Sequence, residues 1–175
     1  MDLSLQLHLR PSQADDAMPV SRLIDRTIRL ACASDHHNDT RLLEAWTRST
    51  SVEQIQRRLG DPAITVRLAI LQGKRVGVAM AHVEGEVLLC HVQPEFIRRG
   101  IGTALMAELE NHLLEQGCIS AYLNSTQSGR GFYHRLGYRE TGQPQHHAGL
   151  NVMPMEKSLL HGSLGGWAEG LSAGL

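Results

Sequence analysis

The order of elements in this chain predicts an α+β fold, a mixed and mostly antiparallel sheet flanked by helices. Three observations carry that prediction. Leucines at 3, 5, 7 and 9 alternate with other residues, the period of a half-buried strand. Two further apolar stretches, 64–70 and 76–83, are separated by Gln72-Gly73-Lys74 and read as an antiparallel hairpin. The apolar run 87–92 leads into a loop holding Gly100 and Gly102. Leu105, Leu109 and Leu113 then recur every fourth residue, giving a strand, a glycine loop and a helix in succession.

Taken in order, Pro11 closes the first strand and Ser12 stands where it can cap a helix through 14–31, with Pro19 in or near its first turn. Residues 32–40 are polar and read as a loop. Leu42, Leu43 and Trp46, then Val52, Ile55 and Leu59, give two helices divided near 47–51, and Gly60-Asp61-Pro62 ends them. After the hairpin, Glu84-Gly85 turns the chain into the central strand. Gly117 stops the long helix, and the strand at 119–123 returns beside the central one, parallel to it through a right-handed crossover. A short helix at 129–136, a strand at 138–142 and a last strand at 151–159 follow. The expected organisation is one domain over 1–160 and a Gly- and Ser-rich tail over 161–175.

Composition bounds the function. At 175 residues the chain holds one substantial core, and a net charge of -1 with 20% charged residues gives no reason to expect nucleic acid or an anionic membrane as partner. Three scattered cysteines, Cys32, Cys90 and Cys118, form no disulfide framework and suit a reducing compartment. With no long apolar stretch, no signal peptide or membrane span is expected, and a cytoplasmic protein is the simplest expectation.

The glycine loop points to an anion. A helix N-terminus offers unpaired N–H groups and the positive end of the peptide dipoles, and Arg98 and Arg99 add charge there. Gly100 and Gly102 let a phosphate lie against the main chain. The loop lacks the Gly-Lys-Ser/Thr ending of a Walker A motif, and Leu105 stands where the dinucleotide fingerprint needs its third glycine. What remains, Ile97-Arg98-Arg99-Gly100-Ile101-Gly102, resembles the acyl-CoA-binding motif of the GNAT N-acetyltransferase superfamily, Gln/Arg-x-x-Gly-x-Gly/Ala, with Ile97 replacing the first residue. Residues 126–138, TQSGRGFYHRLGY, resemble the family's second signature, an aromatic-Tyr-x-x-x-Gly-Phe/Tyr run.

The resemblance implies the GNAT fold, in which the central strand and the parallel strand after it splay apart at their C-terminal ends and receive the pantetheine arm of acetyl-CoA. It implies that Arg98, Arg99, Gly100, Ile101, Gly102 and Thr103 wrap the pyrophosphate. Cys90 and Val92 would meet the thioester and pantetheine through their main chains, and Thr126 would bond the same arm. Tyr133 matches the family's tyrosine that gives its proton to the coenzyme A thiolate; its alternative role is a core aromatic. Glu86 matches the position of a general-base glutamate but also reads as a solvated turn residue. His91, with an ordinary pKa of about 6.5, is the second candidate base, or a packing residue. His36, His37 and Trp46 lie in the region where the family builds its acceptor wall. Cys32, His36, His37 and Asp39 fit no standard zinc spacing, so no metal is expected.

These implications make the chain an N-acetyltransferase acting by direct attack of a small-molecule amine on acetyl-CoA, with a homodimer compatible with the family. The alternatives are a non-catalytic acyl-CoA sensor or partner-binding module, which would keep the cradle without needing Glu86 or Tyr133, and a protein or peptide N-acetyltransferase.

Overall fold

The computed structural model describes residues 7–160; the outer leucines of the first strand and the 161–175 tail lie outside the described residues. β1 (Leu7–Pro11), β2 (Ile64–Leu71), β3 (Lys74–His82) and β4 (Val87–Val92) form an antiparallel sheet in that order. β5 (Ser120–Thr126), β8 (Leu150–Ser158) and β6 (Arg139–Glu140) form a second one, with β7 (Gln145–His147) also on β8. The α+β expectation holds, with one refinement. β5 does run parallel to β4, but the two meet at a single bridge, Glu86 to Tyr122, so two antiparallel sheets stand side by side.

Each face of the first sheet carries its own core. On one face α1 (Ala17–Ala31) and α4 (Val52–Gly60) bring Val20, Leu23, Ile24, Ile28 and Ile55 against Val66, Leu68, Val78 and Met80. On the other, α5 (Ile101–Glu115) lays Leu105, Met106, Leu109 and Leu113 across both sheets, meeting Ala79, Ala121, Leu123 and Met155. This is the fourfold leucine spacing expressed as burial. Tyr138 ends that core, its hydroxyl donating to Glu110 Oε1 at 3.0 Å while Lys157 Nζ bonds Glu110 Oε2 at 2.6 Å.

Local chemistry moves several boundaries. Ser12 is not the cap. Residues Ala14–Asp16 form a 3-10 turn, and the Asp16 carboxylate accepts the Gln13 N–H at 2.7 Å, so α1 begins at Ala17 and Pro19 falls in its first turn, where a missing N–H costs nothing. The polar stretch at 32–40 contains α2 (Ala33–His36). α3 (Thr40–Arg48) is capped by Asp39, whose carboxylate accepts from the Arg41 and Leu42 amides. The strand expected at 138–142 shrinks to β6, and β7 turns into β8 through Ala148 and Gly149, both at positive φ. Pro154 sits inside β8, and its carbonyl accepts Thr141 N–H at 3.0 Å just past the end of β6, so the N–H it lacks lies on that side, before β7, and not toward β5.

Candidate active site

The two sheets part along β4 and β5. They are joined at the start by the Glu86–Tyr122 bridge, by Tyr122 N–H to the Gly85 carbonyl at 3.0 Å, and by Cys118 Sγ to the Val83 carbonyl at 3.0 Å. Beyond the bridge neither facing edge carries a further strand among the described residues, so two rows of main-chain polar groups line an opening crevice. A bulge at Leu88, where Met80 pairs with Leu89 but Ala81 with Val87, bends β4 just past the junction.

The glycine loop lies at the end of β4. Arg98 takes φ 63° and Gly100 φ 80°, and Ala104 is the first amide of α5 to bond back, to the Gly100 carbonyl at 3.0 Å. The amides of Ile101, Gly102 and Thr103 have no partner among the described residues, and Gly100 supplies no side-chain cap. A Cβ at Gly100 would meet nothing within 4 Å. Free donors, a positive helix end and open space fit a pyrophosphate. Arg99 is held over the Phe96 ring, 5.4 Å from its centroid. Gly102 has a packing role as well. A Cβ there would stand 3.1 and 3.2 Å from the Phe132 ring, so its immediate service is to let α6 (Arg130–Arg135) pack against α5.

α6 carries Tyr133, which stacks edge-on with Phe132 and Tyr138 at 5.1 and 5.7 Å. Its ring is nearly buried, and burial, with the thiols of Cys90 and Cys32 nearby, holds its pKa above the ordinary phenol value. The hydroxyl therefore keeps its proton at neutral pH. It has no hydrogen-bond partner among the described residues, and the residue keeps a little exposure. Burial also pushes Cys90 up to about 12 and Cys32 up to about 11, so both thiols are protonated and poorly nucleophilic.

The two candidate bases occupy different places. Cys90 and Val92 pack toward the α5 core, so His91 between them lies on the α1 face, and burial lowers its pKa to about 4. It is an uncharged imidazole at neutral pH. Glu86 stands half-buried at the closed end beside Tyr122, whose pKa its charge helps to raise. Val92 lies six residues further along the strand, about 20 Å away at strand rise.

Of the expected acceptor contacts, Trp46 is half-buried on α3, 6.5 Å from the His36 ring. The His36 ring is itself corrected. It is 1% exposed, Nε2 donates to the Ile28 carbonyl at 3.0 Å and Nδ1 accepts the Asn38 N–H at 3.0 Å, so it fixes the α1–α2 corner and has no nitrogen left for an acceptor. His37 is exposed, with φ 49°, as the C-cap of α2. Thr126 lies at the end of β5, its Oγ1 3.3 Å from Ser128 Oγ. Sequence reasoning did not find Ser128 or its partner Asp35, because the two are 93 residues apart and belong to no shared motif.

The acetyltransferase (GNAT) domain family matches residues 32–159. This chain belongs to the GNAT acetyltransferase family. Solved structures with the same fold include a GCN5-related N-acetyltransferase from Rhodopseudomonas palustris, 24% identical over 90% of this chain and 98% of that one, with a TM-score of 0.78. PaiA N-acetyltransferase of Thermoplasma acidophilum in complex with coenzyme A is 18% identical over 87% and 98%, TM-score 0.76. An aminoglycoside 6'-N-acetyltransferase complexed with coenzyme A is 19% identical over 87% and 97%, TM-score 0.66. Among the described residues of this GNAT chain no helix is long and apolar enough to cross a membrane.

Proposed function

We propose that this GNAT domain, residues 1–160, transfers an acetyl group from acetyl-CoA to a primary amine of a small molecule by direct attack. The observation that carries the proposal is that the sheets part beside the free helix-start amides at the end of β4, with Tyr133, its hydroxyl unpartnered among the described residues, close to Cys90 of the same strand. Arg98, Arg99 and the main chain of Gly100, Ile101, Gly102 and Thr103 would hold the pyrophosphate. The main chain of Cys90 and Val92 and the Thr126 hydroxyl would hold the pantetheine arm. Acetyl-CoA, when bound, supplies the activated acetyl carbonyl.

The acceptor amine, ordinarily near pKa ~10, must shed a proton to attack. Glu86 takes it through water from the closed end, or His91 takes it directly; an imidazole held near 4 is the weaker base of its kind. Tyr133 Oη donates to the departing sulfur. Because its pKa lies above that of an ordinary thiol, about 8.5, full transfer is uphill by ~1.4 kcal/mol per unit of difference, so its main service is a hydrogen bond that strengthens as charge gathers on sulfur. Small amines as acceptors accord with the aminoglycoside enzyme of the same fold.

The test is thiol release from acetyl-CoA over a panel of amines, polyamines, amino acids and peptides, with Tyr133→Phe and Glu86→Gln alongside. Turnover of one acceptor, with kcat reduced about 10²- to 10⁴-fold in Tyr133→Phe at unchanged coenzyme A affinity, is expected. Coenzyme A binding without turnover on any acceptor would leave the binding-module alternative in its place.

A further inference from the structure

The open end of the crevice is crossed by one corner of the chain. α1 stands on the first sheet and reaches the end of β4. Thr27 Oγ1 lies 3.4 Å from the Val92 carbonyl, and Arg26 bonds Gln93 Oε1 and Glu95 Oε2, each at 2.7 Å. α2 then carries Asp35 to the other sheet. Ser128 lies just past the end of β5, six residues beyond Tyr122, as Val92 ends β4 six residues beyond Glu86. The Asp35 carboxylate accepts the Ser128 N–H at 3.0 Å on Oδ1 and the Ser128 hydroxyl on Oδ2.

What Asp35 grips is the root of α6. Gly129 is its N-cap, and the Gly129 carbonyl takes the Tyr133 N–H at 3.2 Å. The packing there is close, since a Cβ at Gly129 would sit 3.3 Å from both Ser125 Oγ and Tyr133 Cε2. A helix of six residues has too few internal bonds to orient itself, so its direction comes from its contacts. We propose that Asp35 is a positioning residue, a strap from the acceptor wall that orders residues 126–133 and thereby aims the Tyr133 hydroxyl into the crevice. Two bonds to one carboxylate fix both the loop's position and its rotation, and both are charge-assisted. The kinetic consequence rests on the transferase reading; the ordering does not.

The experiment uses the full chain and the variants Asp35→Ala, Ser128→Ala and Tyr133→Phe, with Asp35→Ala also made in the Tyr133→Phe background. Amide hydrogen exchange is read with and without coenzyme A. Exchange in residues 126–136 is expected to rise about tenfold or more in Asp35→Ala while α5 is unchanged; unchanged exchange in that segment overturns the proposal. In turnover, Asp35→Ala is expected to lower kcat about tenfold with the KM for acetyl-CoA unmoved, and to lower it little further once Tyr133 is Phe. A loss of equal size in the Tyr133→Phe background, or none in either, overturns the aiming role. If the wild-type chain turns over no amine, the transferase reading fails and the exchange measurement alone decides the strap.

Discussion

The two walls of the crevice are held together by different physics. The wall proposed to hold the cofactor is main chain: a strand edge, a left-handed loop and a helix start whose amides are free because geometry leaves them so. The wall proposed to face the acceptor is side chains. Asp16, wholly buried, anchors the start of α1 through Arg10, bidentate at 2.8 and 2.9 Å, and Arg75 at 2.5 Å; His36 fixes the corner, and Asp35 fastens it to Ser128. A wall made of backbone resists substitution except where a glycine is needed. A wall hung on charged side chains fails one residue at a time, and it fails with pH.

The largest expected effect follows from that. Asp16→Asn leaves Arg10 and Arg75, whose side chains are 24% and 27% exposed, facing a neutral amide, and loss of a charge-assisted hydrogen bond costs about 1.5–3 kcal/mol. Denaturant unfolding would measure it. The same carboxyl sets an acid limit. The two guanidiniums and the Gln13 N–H outweigh burial and hold its pKa well below the usual carboxylate range, so its contribution is complete above the ordinary value of ~3.9. It is lost as pH falls below that toward the folded value. Wild-type stability should therefore drop below about pH 4 more steeply than that of Asp16→Asn, and parallel curves would show that the wall does not depend on this charge.

The glycines sharpen the comparison from the other side. Gly100→Val forces a β-branched residue to φ near 80° in open space, a strain of about 1–3 kcal/mol. The loop relieves that strain by leaving the cradle geometry, so coenzyme A affinity should fall roughly tenfold or more by calorimetry, with kcat at saturation little changed. Gly102→Ala presses on the Phe132 ring and, through it, on the adjoining Tyr133. There the loss should fall mainly on kcat. Equal effects of both variants on affinity would mean that Gly102 also serves the phosphate.

The same division explains what could be read in advance. Residues 86–103 are contiguous, and their period changes from strand to loop to helix, so that succession of elements was legible residue by residue. The short helix that carries Tyr133 was legible as an element. The acceptor wall was not, because its bonds join residues 93 apart, and because His36, which looks like a free imidazole in a polar run, spends both nitrogens on the backbone of its own corner. β7 escaped notice for a related reason. Its three residues are all exposed, and a strand with no buried face leaves no alternation in the sequence.

The smallest expected effect tests whether the cofactor wall is main chain alone. Arg99 is exposed, and nothing but the Phe96 ring holds it among the described residues. An exposed cation over an aromatic face is worth about 0.5–1 kcal/mol. Phe96→Leu keeps most of the apolar contact with the α5 core and removes the ring, so the guanidinium regains its freedom and must lose it again on meeting a phosphate. Coenzyme A affinity should fall about two- to fivefold, and the change should vanish in an Arg99→Ala background. A loss that persists without Arg99 would mean that Phe96 serves the cradle through the loop's own conformation, extending the main-chain wall back to the end of β4. A loss that vanishes would make Arg99 the one place where the cofactor wall, too, depends on a side chain held by its neighbour.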